Sequence, residues 1–279
     1  MTGNDSRTFA VMAKVVGGFC NLQCEYCYYT EKTKLLAQTR RLMPDDVLEA
    51  YVVENLRIHG KDAVVEFAWH GGEPLLAGID FFRRAMGLER KYGKGRKIVN
   101  TVQTNATLLN DEWRQFFAKH DFLLGVSVDG PEALHDAYRR GPDGGSFSRA
   151  MAGIELLRKH GIRFNTLTTV NAANEKHPEE VYDFLRRYTD YMQFLPVVES
   201  DAAFFEIEDG QRFATPPGIR SMFLQHSMAP FSASAEGYGH FLAGVFDRWK
   251  ELDYGRKHVQ IFETTAGNMR GVPGGLCVH

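Results

Sequence analysis

Short runs of β-branched and aromatic residues alternate along this chain with longer segments whose apolar positions recur at helical spacing. The runs are Val11–Val16, Val64–Trp69, Ile98–Thr104, Phe122–Val128, Arg163–Val170 and Tyr191–Val198. Between them the pattern predicts helices. Pro44–Ile58 opens with Pro in its first turn and Asp45 and Asp46 near the positive end of the helix dipole. Asp80–Tyr92 ends before Gly93, and Asp111–His120 opens with a capping residue. Ser146–His160 stops at Gly161, and Pro178–Tyr188 follows. Strand then helix, repeated, implies parallel strands joined by right-handed crossovers. The expected class is α/β, a partial (β/α)6 TIM-like barrel with its chemistry at the C-terminal strand ends.

The rhythm breaks after Val198. Glu199–Pro217 is irregular and contains Pro216-Pro217, the look of a loop or insertion. A helix from Tyr238 to Leu252 and a short apolar strand, Val259–Phe262, are expected next, and Gly267–His279 has no periodicity. The expected division is residues 1–235 as the barrel and 236–279 as a C-terminal helix-strand extension leading out of it.

Composition narrows the function classes. The 279 residues are 44% hydrophobic and 24% charged, enough for a sizeable core, and the formal net charge is −2. No basic stripe points to nucleic acid, and no apolar run approaches the roughly 20 residues that span a bilayer. A soluble, cytoplasmic protein is expected. Its 4 cysteines are unevenly spread: Cys20, Cys24 and Cys27 lie close together and Cys277 stands near the end. Disulfide frameworks use dispersed, even sets, so the cluster argues for thiolate ligation of a metal.

The cluster follows the first expected strand as Gly18-Phe19-Cys20-Asn21-Leu22-Gln23-Cys24-Glu25-Tyr26-Cys27-Tyr28-Tyr29. Three thiolates from one loop can hold three irons of a cubane and leave the fourth iron open for a ligand. A zinc knuckle completed by Cys277 or a histidine, or three structural cysteines, are the alternatives. The second strand runs into His70-Gly71-Gly72-Glu73-Pro74, where glycines admit close backbone approach and the carboxylate can help hold an ammonium group. The third ends in Gln103-Thr104-Asn105-Ala106 and the fourth in Ser127-Val128-Asp129-Gly130-Pro131, a sequence that by itself reads as a turn. Arg139 and Arg140 follow, and one guanidinium there can pair with a carboxylate.

The cysteine spacing resembles the signature of the radical S-adenosylmethionine (SAM) superfamily, whose fold places this loop after the first barrel strand. The segments Cys24-Glu25-Tyr26-Cys27-Tyr28-Tyr29, Trp69-His70-Gly71-Gly72-Glu73-Pro74-Leu75-Leu76, Gln103-Thr104-Asn105, Ser127-Val128-Asp129-Gly130-Pro131, Phe164-Asn165-Thr166-Leu167, Gln193-Phe194-Leu195-Pro196 and Val259-Gln260-Ile261-Phe262 resemble one family within it, the anaerobic sulfatase-maturating enzymes. The resemblance implies a [4Fe–4S] cluster on Cys20, Cys24 and Cys27, and Tyr26, Gly72, Ser127, Arg139 and Val198 as SAM contacts. It implies that Tyr29, His70 and Gln103 face a peptide substrate.

That family uses a 5′-deoxyadenosyl radical to oxidise a Cys or Ser side chain of a sulfatase to Cα-formylglycine. A flavodoxin- or ferredoxin-type protein is the expected reductant. The family's base is an Asp at the position Glu263 fills here, and the extra methylene moves the carboxylate by roughly 1.5 Å, one carbon–carbon bond. In the family a SPASM domain with two auxiliary [4Fe–4S] clusters follows, and Gly274-Gly275-Leu276-Cys277 resembles its opening, with Cys277 as first auxiliary ligand. One cysteine cannot hold a cubane, so a truncated chain with one cluster is expected, the auxiliary clusters belonging to a full-length form. A related SPASM maturase acting on a ribosomally made peptide shares all these features. A non-catalytic zinc or electron-transfer protein is the reading from another class.

Overall fold

The computed structural model describes residues 11–29, 42–199 and 228–272. In chain order the elements are β1 Met12–Lys14, α1 Asp45–Ile58, β2 Val64–His70, α2 Ile79–Tyr92, β3 Lys97–Thr104, α3 Asp111–His120, β4 Leu123–Ser127 and α4 Glu132–His135. There follow β5 Arg140–Gly141, β6 Gly144–Gly145, α5 Phe147–Lys159, β7 Phe164–Val170, α6 Pro178–Leu185, β8 Tyr191–Pro196, α7 Ala235–Leu252, β9 His258–Val259 and α8 Gln260–Met269. Each of the expected strands through β8 is present, and parallel strands alternate with helices as the α/β class requires.

Contacts divide the chain into two compact units. The first comprises Met1–Asn21, Thr39–Val126 and Ala152–Phe164. In it β1, β2, β3 and β4 pair parallel in that order, with Ala13 opposite Trp69, Phe67 opposite Asn100 and Val102 opposite Leu124. The period-two alternation of β2 turns Val65, Phe67 and Trp69 inward. There Trp69 meets Phe81 and Phe82 of α2 edge-on. Its indole N–H donates to Asn100 Oδ1 at 2.7 Å, the polar handle a buried Trp needs. Asn110 caps α3 by accepting from the Trp113 N–H, and α3 ends on Asp121 in the left-handed region, φ 50°.

The second unit comprises Leu22–Gln38, Ser127–Met151 and Asn165–His279. Its strands β7, β8 and β9 are parallel, Thr168 lying opposite Phe194 and Met192 opposite Val259. α6 packs on α7, with Gly244 so close to Pro178 that an added Cβ would sit 2.6 Å from its Cγ. Asp253 closes this pair of helices, accepting from Tyr182 Oη at 2.8 Å and from Arg186 Nε and Nη2 at 2.6 and 3.0 Å.

The expected strand Val259–Phe262 is corrected: only His258–Val259 is extended, and Gln260 begins α8. Phe262 packs edge-on against Phe246 of α7 and lies 5.5 Å from the Trp249 ring. A helical turn brings that ring onto α7, and so short an apolar run carries no period by which to tell the two conformations apart. The helix then runs through Met269, into the stretch that showed no periodicity.

Candidate active site

In the first unit, the segment leading to Cys20 is pinned to the end of β2 by backbone. The Gly72 N–H donates to Gly17 O and the Glu73 N–H to Phe19 O, both at 2.9 Å. No side chain fits there: a Cβ on Gly72 would lie 2.1 Å from Phe19 O and 2.5 Å from Gly18 O. Gly71 adopts φ 131°, open to glycine, and its own Cβ would lie 2.8 Å from Gly17 O. These two glycines let the segment Gly17–Phe19, which leads into Cys20, lie flat against the strand end.

Glu73 does something other than expected. It is fully buried, and both oxygens are used internally. Oε1 accepts from Thr104 Oγ1 at 2.8 Å and Leu75 N at 3.1 Å, and Oε2 accepts from Asn105 N at 2.8 Å. Burial pushes its carboxyl up to about 7 against these hydrogen bonds. It braces the ends of β2 and β3 together rather than presenting a carboxylate to an ammonium group. His70 Nδ1 accepts from the Gly71 N–H at 2.8 Å and lies 3.2 Å from Lys14 Nζ. Burial first, then the Lys14 charge, holds this imidazole down at about 4, neutral at pH 7. Gln103 is half-buried in β3.

In the second unit, the residues after Leu22 are stitched by backbone to the segment following α4. The Gln23 N–H donates to Arg140 O at 2.7 Å and the Glu25 N–H to Tyr138 O at 3.0 Å. Tyr26 is buried and its hydroxyl donates to Asp129 Oδ2. Arg139 Nε donates to the same oxygen at 2.9 Å, its Nη2 to Thr169 Oγ1 at 3.3 Å, and its Cζ sits 5.5 Å from the Tyr26 ring centroid. Burial alone would lower Arg139, but Asp129 and Tyr26 outweigh it and hold the guanidinium firmly charged. Asp129 Oδ1 accepts from the Thr169 N–H at 2.9 Å, so this wholly buried carboxylate anchors three partners.

Behind it stands His135, also buried, whose Nδ1 accepts from the Asp129 N–H at 3.3 Å. Ser146 Oγ lies 3.0 Å from Nε2 and donates onward to Arg139 O at 2.8 Å. Ser146 having spent its proton on a carbonyl, Nε2 is the donor of that pair, which makes the ring a neutral tautomer. Burial holds it down at about 4. Asp129 and His135 are the functional neighbours that sequence reasoning missed. The only available signal was an acidic residue at a strand end, which Gly130-Pro131 disguised as turn chemistry.

The other expected residues are less closely gathered. Ser127 ends β4 half-buried. Val198 follows β8 and is 59% exposed. Glu263 lies in the first turn of α8, its Oε1 3.1 Å from His258 Nδ1, both side chains about half exposed. Cys277 lies outside the described residues.

The donor set fits a cubane: Cys20, Cys24 and Cys27 are all free thiols on one loop. Burial pushes the Cys24 thiol up to about 11, against thiolate formation in the metal-free chain. Among the described residues no three His, Cys, Asp or Glu side chains converge on one ion. A cubane asks for no such convergence, because each thiolate takes a different iron.

The chain is similar to known proteins along nearly its whole length. It is 41% identical over 270 residues to a serine-type anaerobic sulfatase-maturating enzyme of Bacteroides thetaiotaomicron, covering 96% of this chain and 63% of the relative. It is 30% identical to a cysteine-type anaerobic sulfatase-maturating enzyme of Clostridium perfringens, covering 91% of this chain and 64% of the relative. Thus the chain spans less than two thirds of the length of these curated relatives. A solved structure described as native anSMEcpe with bound AdoMet and Cp18Cys peptide superimposes with a TM-score of 0.77 at 30% identity, over 95% of this chain and 66% of that one. The model of the Radical SAM superfamily matches residues 15–185, more than half of the chain. With that match go a [4Fe–4S] cluster and SAM as cofactors, and the chain belongs to the radical SAM superfamily.

Proposed function

We propose that this chain is the radical-generating part of an anaerobic sulfatase-maturating enzyme, oxidising a Cys or Ser side chain of a sulfatase segment to Cα-formylglycine. The observation that carries the reading is the set of three free thiols within eight residues, Cys20, Cys24 and Cys27, the first of them reached through a segment that packs on Gly71 and Gly72. The similarity to a serine-type and a cysteine-type enzyme supports the substrate class, and the peptide in the anSMEcpe complex supports a peptide-shaped substrate.

When bound, the cluster and SAM supply the 5′-deoxyadenosyl radical that takes the β-hydrogen. The chain's own residues do the rest. Cys20, Cys24 and Cys27 hold the cluster. Tyr26 and Arg139, locked on Asp129, offer a buried ring and a buried cation to SAM, alongside Gly72, Ser127 and Val198. Tyr29, His70 and Gln103 face the peptide. Glu263 takes the proton from the substrate thiol or hydroxyl; its pairing with His258 orients one oxygen and leaves the group accessible. Residues 1–235 form the radical SAM domain, residues 236–279 lead out of it toward an auxiliary-cluster region, and Cys277 is the first auxiliary ligand. The electron donor is a low-potential flavodoxin or ferredoxin. Free thiols on a cluster loop are kept by a reducing compartment, which supports a cytoplasmic location. Among the described residues no helix is long and apolar enough to cross a membrane.

Anaerobic incubation of the protein with SAM, dithionite and a Cys/Ser-x-Pro-x-Arg peptide tests this. The expected product carries an aldehyde at the Cys or Ser, read by mass. A cross-linked or otherwise altered peptide redirects the assignment to a peptide maturase, and a colourless, zinc-bound protein that leaves SAM intact overturns the radical chemistry itself.

A further inference from the structure

Asn105 stands one residue past β3 in the first unit, is 8% exposed, and has no part in the roles above. Its backbone N–H and both ends of its side-chain amide are engaged. Its backbone N–H donates to Glu73 Oε2. Its Oδ1 accepts from the Thr107 N–H at 3.0 Å and from Thr107 Oγ1 at 2.7 Å. Its Nδ2 donates to Asn21 Oδ1 at 2.9 Å and points its other hydrogen at Cys20 Sγ, 3.7 Å away. Asn21 Nδ2 donates to Thr107 Oγ1 at 2.8 Å and closes a ring of three side chains.

The orientation of the Asn105 amide follows from this ring. The Thr107 backbone N–H can only donate, so the amide oxygen must face it and the amide nitrogen must face the sulfur. The turn beneath is held at a cost: Ala106 adopts φ 62°, a left-handed conformation rare for a residue with a Cβ. Gly153 of α5 packs so tightly on it that a Cβ there would lie 2.4 Å from Ala106 O.

Resting on the reading of Cys20 as a cluster ligand, we propose that Asn105 is a positioning residue that tunes the iron–sulfur cluster. Its side-chain N–H donates to the Cys20 sulfur, fixes that ligand's orientation and raises the cluster's reduction potential. Reduction adds negative charge to the cluster and its sulfurs, so a fixed N–H dipole at one sulfur favours the reduced form more than the oxidised one. Glu73 acts one step further back, holding the Asn105 backbone in place.

The test is a redox titration of the anaerobically reconstituted chain without SAM, followed by electron paramagnetic resonance. Asn105→Leu removes the donor, keeps the volume and leaves the backbone bond to Glu73. It is expected to lower the reduction equilibrium roughly tenfold, about 59 mV for a one-electron couple. Asn105→Asp, which turns an acceptor toward the sulfur, is expected to lower it at least as far. Thr107→Val loosens the ring but keeps the donor, so its shift is smaller and in the same direction; it decides the matter if the Asn105 variants take up no iron. Variants with full iron content and an unchanged potential overturn this inference alone. A wild-type chain that binds no iron overturns it together with the reading on which it rests.

Discussion

Asp129 Oδ2 receives both the Tyr26 hydroxyl and the Arg139 Nε–H, so one buried carboxylate sets the position of the ring that precedes Cys27 and of a cation 5.5 Å from that ring. Tyr26 and Asp129 are 103 positions apart in the chain. Removing the carboxylate leaves Arg139 charged and without its ion-pair partner in a site where its side chain is 11% exposed. Breaking a buried pair from one side costs about 3–5 kcal/mol. Asp129→Ala is therefore expected to lose that much in anaerobic denaturant titrations. Asp129→Ala combined with Arg139→Met, which removes the stranded charge, is expected to recover part of it.

Gly72→Ala brings a methyl group against two carbonyl oxygens of the Cys20 loop. Backbone on both sides leaves little room to yield, so the loop must shift and carry Cys20 with it. Iron content after reconstitution is expected to fall well below the about four atoms of one cubane, with the far-ultraviolet circular dichroism kept. Gly87→Ala, a helical position with nothing near the added Cβ, is the control that should load normally.

Two buried groups give opposite pH dependences. Glu73 titrates higher in the folded chain, about 7, than its ordinary 4.5, so the folded state binds the extra proton between these values. Its contribution is fully present below about 4.5 and is lost as pH rises through about 7. The stability of wild type relative to Glu73→Gln should fall across that window and level off above it. His135 titrates lower, about 4, than its ordinary 6.5, so there the unfolded state binds the extra proton. The stability of wild type relative to His135→Gln should rise from about pH 4 to about 6.5 and stay flat beyond. Denaturant midpoints at a series of pH values check both signs.

Glu263→Gln keeps the shape of the side chain and removes its basicity. With the reduced, SAM-loaded enzyme it is expected to abolish formylglycine while 5′-deoxyadenosine still forms. A misplacement near 1 Å can cost about 10²-fold in rate, so Glu263→Asp, which restores the family's residue, should equal or exceed wild type. An unchanged product yield in Glu263→Gln rejects the base assignment.

The alternation of strand and helix, the bounds of α3, the start of β2 and the cysteine loop were legible along the chain because they rest on local periods, capping residues and spacing. Those signals act over a few residues and survive without knowledge of neighbours. The run from Val259 to Phe262 was not legible, because its conformation follows from Phe262 meeting Phe246 and Trp249 on α7. Glu73 beside two glycines read as a carboxylate for a ligand, and Asp129 before Gly-Pro read as a turn. Tertiary structure alone turned both inward, because a buried carboxylate must find its donors, and these come from Asn105, Thr104, Arg139 and Tyr26 on segments brought close only by the fold. The sequence by itself determined which atoms can bind iron; the packing of distant strands decided which polar groups hold those atoms in place.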